Sequence, residues 1–298
     1  MGIGVAHDDG AFFGFDAYVY KLLLHESVPD EFVKMRARGC RVIVDVDDFH
    51  FGISEDNIAA RVTSPLHSPD NNRMWHEMSM RLADRLIVST DFLADHYARR
   101  CRDVVVVKNA LDTDRYTPVE HPVVPVFGWV GGTLWRSGDI ETLQSWLPRF
   151  VGDYDVRVHH SGHIPGDPNH FAVRAGMRRV STSLNSTMHQ YPALLAGFHV
   201  GLVPLVMSPF NEAKSCLKGL EYAAAGIPFI ASPTEEYRLL HAAGVGRLAS
   251  TPDEWRDHAT ELLDRDVRVA EAERQLRIVR ERFDISTMGE AWATGILG

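Results

Sequence analysis

Short apolar runs rich in β-branched residues recur along this chain, each followed by a stretch of helical character. That alternation restricts the fold more than any other feature. Arg41–Asp45 reads R-V-I-V-D, Arg85–Ser89 reads R-L-I-V-S, and Val104–Val107 is four valines in a row. Val126–Val130, Val156–His159, Val180–Leu184, His199–Val206, Phe229–Ser232 and Val245–Leu248 continue the series, and Ala17–Leu24 precedes it. Uninterrupted apolar runs are what strands covered on both faces of a parallel sheet require. Helices are expected at 29–38 (closed by Gly39), at 72–84, and from Thr90 or Asp91 to Arg100. Others are expected from near Asp139, at 191–197, from Glu235 and Glu236, at 253–264, at 268–282 and at 286–297. Strands alternating with helices predict doubly wound α/β sheets, which bind ligands beyond the carboxyl ends of their strands.

The 298 residues favour two domains over one. Thr117–Pro125, T-P-V-E-H-P-V-V-P, holds three prolines and reads as the connection between them. The expected division is 1–116, 117–285, and a last helix at 286–298 that packs back across the junction. With 45% apolar residues, 24% charged residues and a net charge of −9, the chain reads as a globular protein without a basic arm. A nucleic-acid partner is disfavoured. Cys40, Cys101 and Cys216 lack metal-ligand spacing and read as reduced thiols of a cytoplasmic protein. No signal peptide is read at His7, Asp8 and Asp9, no myristoylation signal at Gly2–Ala6, and no apolar run is long enough to span a membrane.

The segment Ser208–Ser232, S-P-F-N-E-A-K-S-C-L-K-G-L-E-Y-A-A-A-G-I-P-F-I-A-S, carries the densest chemistry. It reads as a loop, a helix capped by Asn211 and stopped at Gly226-Ile227-Pro228, then a buried strand. Leu217, Leu220 and Ala224 form an apolar stripe. Lys214, Lys218 and Glu221 fall at i, i+4, i+7 on another. A helix start bearing Lys214 and Ser215 presents backbone N–H groups, a positive dipole end and a cation to a phosphate. Glu221, two turns further in, suits the hydroxyls of a ribose. An ordinary amphipathic helix with solvated charges accounts for the same spacing.

Val126–Val130 runs into Gly131-Gly132-Thr133, where glycine lets backbone approach a ligand, and Arg136 in that loop adds a forked cation. Asp139 reads as a helix cap, and His160 and His163 as solvent-facing or locally satisfied. In the first half, Asp45, Asp47, Asp48 and His50 follow a strand. They either cap turns or, through the D-V-D pattern, hold a divalent metal against a diphosphate. The metal is the less favoured reading.

These pieces resemble a known family. Val107–Pro118, V-K-N-A-L-D-T-D-R-Y-T-P, resembles the hinge of the GT-B glycosyltransferases. F-G-W-V-G-G-T together with Lys214–Ser232 is similar to the donor half of glycosyltransferase family 4. V-D-V-D-D-F-H-F-G, with Asn57 and Ala59 downstream, resembles a short subgroup from actinobacteria and their phages. The resemblance implies two Rossmann-like domains facing a cleft, with a nucleotide-diphospho-sugar bound mainly by the second. It implies donor contacts from Gly131, Gly132, Thr133, Arg136, Asn211, Glu212, Lys214, Ser215, Lys218 and Glu221. Arg136 and Lys214 would stabilise the leaving diphosphate without a metal or other cofactor. Asp47, Asp48 and His50 would orient the acceptor hydroxyl of a glycan or a protein, such as a virion or cell-surface protein. The family retains anomeric configuration; an inverting route with one of these carboxylates as base is the alternative.

One position departs from the family. Glu221 matches the second glutamate of its E-x7-E motif, but the first falls on Ala213, with Glu212 one residue out of register. A nucleotide-sugar binding protein without turnover is one alternative this raises. A nucleotide-sugar-modifying enzyme such as an epimerase would also use Lys214 and Lys218. A Rossmann oxidoreductase lacks its G-x-G-x-x-G here. The N-terminal domain, about 115 residues, is short for the family and implies an open acceptor side.

Overall fold

The computed structural model describes residues 15–21, 26–57, 60–67, 72–133 and 138–298. The end of the expected first strand (22–24), Ala59 and Arg136 lie outside the described residues.

Two parallel sheets organise the chain. In the first half β1 (Ala17–Tyr20), β2 (Arg41–Val46), β3 (Arg85–Val88) and β4 (Val104–Val106) lie side by side in sequence order. Helices α1 (Ser27–Ala37), α2 (Asn72–Leu82) and α3 (Asp91–Tyr97) connect them. In the second half the order is β10-β9-β8-β5-β6-β7, built from β5 (Val126–Val130), β6 (Arg157–His163), β7 (Ser181–Leu184), β8 (Val200–Val203), β9 (Phe229–Ala231) and β10 (Arg247–Leu248). The six strands are parallel throughout, and the order switches between β5 and β8. That switch is where a doubly wound sheet leaves a crevice at its carboxyl edge.

Every residue of β5 is buried, which explains its unbroken apolar sequence. Trp129 packs on Phe171 on one face of the sheet, while Val130 joins Leu220, Phe229 and Tyr237 on the other. Gly128 is required by contact: a Cβ there would stand 2.1 Å from the Phe198 ring.

The linker lies along the second unit. Val119 N–H donates to Ala225 O at 3.0 Å, His121 Nε2 pairs with Gly226 O at 2.9 Å, and Arg265 Nε donates to His121 O at 2.7 Å. The last helix, α9 (Gly289–Leu297), rests on the first sheet instead. Met288, Ala291, Trp292 and Ile296 pack against Ile43, Ile87 and Val107. Arg85 donates to Thr294 O at 2.9 Å and Arg41 to Ile296 O at 3.2 Å. Two guanidinium groups thus meet the last turn of the helix, where its dipole is negative. No helix among the described residues is long and apolar enough to cross a membrane.

Candidate active site at the domain junction

The single long helix expected from Asn211 is two helices. A one-turn helix, Pro209–Glu212, is capped by Ser208, whose Oγ accepts from Asn211 N–H at 3.3 Å. After a break comes α5, Leu217–Ala224. Asn211 is no cap. It is buried, and its Nδ2 donates to Asp139 Oδ1 at 2.7 Å and to Val206 O at 2.9 Å. Asp139 in turn makes no side-chain cap; its Oδ1 also accepts Val206 N–H at 2.9 Å, clamping the loop after β8.

Tertiary contacts cause the break. Ala213 is fully buried within the core of the first domain, among Val46, Phe49, Leu93 and Tyr97. Thr90 Oγ1 donates to its carbonyl at 3.0 Å, and Asn109 Nδ2 donates to Ser215 Oγ at 2.8 Å. Loops at the carboxyl ends of β2, β3 and β4 therefore grip the segment after β8, pulling residues 213–216 out of helical register. Lys214 consequently does not share a helical stripe with Lys218 and Glu221, as the sequence spacing suggested.

The three nonetheless sit on neighbouring stretches at the junction. Lys214 Nζ meets Asp48 Oδ1 at 2.8 Å and lies 4.1 Å from the centre of the Phe210 ring. Lys218 Nζ donates to Val130 O at the end of β5 and stands 5.2 Å from the Trp129 ring centre. Gly131, with φ +139°, brings the backbone to this ammonium: a Cβ there would lie 3.3 Å from it. No described residue comes within 4 Å of the Cβ position at Gly132. Thr133 is buried and hydrogen-bonded to Asp167 at 2.5 Å, so its hydroxyl holds the loop.

Glu221 is half-buried on α5 and accepts from Tyr191 Oη at 2.8 Å. Burial pushes its carboxyl above the ordinary range, against the Lys218 charge and hydrogen bonds from Tyr191 and Tyr116. Two phenols leave a carboxylate lone pairs for further donors. Nothing in the sequence signalled Tyr191 or Tyr116, because both approach Glu221 from other elements.

Glu212 points elsewhere. Its Oε2 accepts Glu235 N–H at 2.9 Å and lies 3.6 Å from Arg238, so it serves the start of α6 (Glu235–Ala242). One residue of offset turns a helical side chain by about 100°. With Ala213 in the neighbouring core, neither position supplies the carboxylate of the family motif to the junction.

On the first domain, Asp48 is paired with Lys214, while Asp47 pairs with Lys21 at 2.9 Å. Burial raises the Asp45 carboxyl, opposed by Lys21 and reinforced by Asp47. Among the described residues no three His, Cys, Asp or Glu side chains converge as a metal site would need. His50 begins the turn His50–Gly52; burial lowers its pKa, with Asp48 and Asp47 opposing. Its ring lies 6.0 Å from His76, whose pKa burial lowers to about 3. His160 is fully buried in β6 rather than solvent-facing, with Nε2 on Gly131 O at 2.9 Å and a pKa lowered by burial to about 4.

Two parallel α/β units whose strand-end loops meet across a junction define the GT-B fold, and solved structures agree. A glycosyltransferase from Rickettsia africae ESF-5 superposes with a TM-score of 0.64 at 12% identity, over 93% of this chain and 76% of that one. HepE of Anabaena, crystallised with UDP, gives 0.63 at 17% identity over 93% and 77%. TarM gives 0.65 at 14% identity over 94% of this chain and 54% of its own, so this chain spans about half the length of TarM. No protein-family model and no curated protein sequence matches the chain. At these identities the likeness establishes the fold, that of the GT-B glycosyltransferases.

Proposed function

We propose that this protein is a glycosyltransferase that moves a sugar from a nucleotide-diphospho-sugar to an acceptor hydroxyl. The observation that carries this is the junction itself: Lys214, Lys218, the Gly131-Gly132 turn and Glu221 gather where β5 ends and α5 begins. The lysines and the start of α5 would hold the diphosphate and take up negative charge as the sugar–phosphate bond breaks. Glu221, steadied by Tyr191, would accept from the ribose hydroxyls. Asp48 and His50, with Asp47 beside them, would face the acceptor. Arg136 would add a third cation on the diphosphate. Retention without a metal suits ammonium groups placed to neutralise the leaving group. The solved relative HepE has been crystallised with UDP-glucose, which makes UDP-glucose the first donor to try.

One observation favours a second reading. Glu212 and Ala213 offer the sugar no carboxylate, as a protein that binds nucleotide-sugars without turning them over would allow.

A thermal-shift panel of UDP-, GDP-, ADP- and dTDP-sugars, with and without Mg²⁺ or Mn²⁺, tests the reading. One donor should raise the midpoint of the wild type without metal, and Glu221→Ala should abolish the shift. No shift with any donor would refute the donor site. Release of sugar or nucleotide from the binding donor separates transferase from silent binder.

A further inference from the structure

The Lys214–Asp48 pair joins side chains 166 residues apart, one from each domain. Its cation belongs to the proposed diphosphate site and its carboxylate to the acceptor side. We propose that this pair is a latch opened by the donor: the diphosphate takes Lys214 from Asp48, and the released Asp48 carboxylate then becomes available to the acceptor hydroxyl. The proposal rests on the donor-site reading above and adds an order to it, donor before acceptor.

Three features support displacement over a permanent bridge. A diphosphate carries more negative charge than one carboxylate and attracts the ammonium more strongly at equal distance. Lys214 is held by more than Asp48, because its ammonium stands over the Phe210 ring, and Phe210 precedes it on the Pro209–Glu212 turn. The cation therefore keeps its place when its partner leaves. Asp48 is 41% exposed at its side chain, so water recovers its hydration as it departs. While the latch is shut, an Asp48 oxygen is committed to Lys214, and an acceptor hydroxyl must compete with an ammonium for it. Donor and acceptor binding are then coupled positively through one shared carboxylate.

The test is a set of affinities for UDP, GDP, ADP and dTDP by titration calorimetry at low ionic strength. Asp48→Asn removes the competitor and should bind whichever nucleotide the wild type binds about two- to fivefold more tightly, the span of a partly exposed ion pair. Lys214→Met should weaken it, and adding Asp48→Asn to Lys214→Met should change nothing further. Asp48→Glu should return the affinity toward that of the wild type. Asp48→Ser is the second variant should Asp48→Asn fail to fold. Unchanged or weaker binding by the Asn or Ser variant overturns the latch while leaving the donor site standing. If the wild type binds none of the four, the donor-site reading falls and the latch falls with it.

Discussion

Removing one hydroxyl at Tyr191 isolates the electrostatics of the proposed ribose site. Tyr191 donates to Glu221 Oε2 at 2.8 Å, and burial already raises the carboxyl above its ordinary value. Above that raised value Glu221 is ionised, and a hydrogen bond to a charged group contributes about 1.5–3 kcal/mol. Tyr116 remains as a second donor in Tyr191→Phe, so the lower end applies, about 1.5 kcal/mol. At about 2–4 °C per kcal/mol for a chain of this size, the midpoint should fall by about 3–6 °C at a pH where Glu221 is ionised. The sign of the pH dependence follows from the raised pKa. The folded state holds the Glu221 proton more tightly than the unfolded chain does. Its contribution to stability is therefore greatest below the unfolded value and is lost as pH rises through the folded one. As pH falls toward the raised value the carboxyl takes a proton, and the phenol then donates to a neutral acid. The deficit of Tyr191→Phe should shrink to about half once melts are carried below the raised Glu221 value, since neutral bonds are roughly half as strong. An equal deficit on both sides of the Glu221 titration, or none where it is ionised, would refute the assignment of Glu221 as a half-buried carboxylate steadied by Tyr191.

Two further perturbations probe the scaffold. Lys108 Nζ bridges Asp91 at 2.8 Å and the buried Glu236 at 2.6 Å, tying the first domain to α6. Lys108→Met should cost about 3 kcal/mol by stranding the Glu236 charge, and Lys108→Met with Glu236→Gln should regain most of it in denaturant melts. Gly128→Ala should destabilise by about 1–3 kcal/mol, because its methyl group must displace the buried Phe198 ring. A neutral result at Gly128 would mean that β5 and Phe198 pack less tightly than the structure shows.

Strands were the most legible elements, for a physical reason. A strand buried on both faces of a parallel sheet cannot tolerate polar interruptions, so Val126–Val130 has the same bounds in sequence and structure. Helix ends were less legible where a distant contact sets them. Nothing local in N-E-A-K-S-C says that Ala213 enters the core of the other domain, yet that burial splits the expected helix. Asn211 and Asp139 each looked like helix caps, the commonest use of such residues. They are bonded to one another instead, across 72 residues of sequence.

By itself, then, the amino-acid sequence determined the class of fold, the parallel strands and the residue types of the proposed donor site, all of which rest on local periodicity and composition. The tertiary structure decided which of those residues meet. It set Lys214 against Asp48, Glu221 against Tyr191 and Glu212 against the start of α6. The first of these depends on how the two sheets dock and the others on how distant segments of the second domain pack, and both are governed by surfaces assembled from many segments that no local pattern encodes.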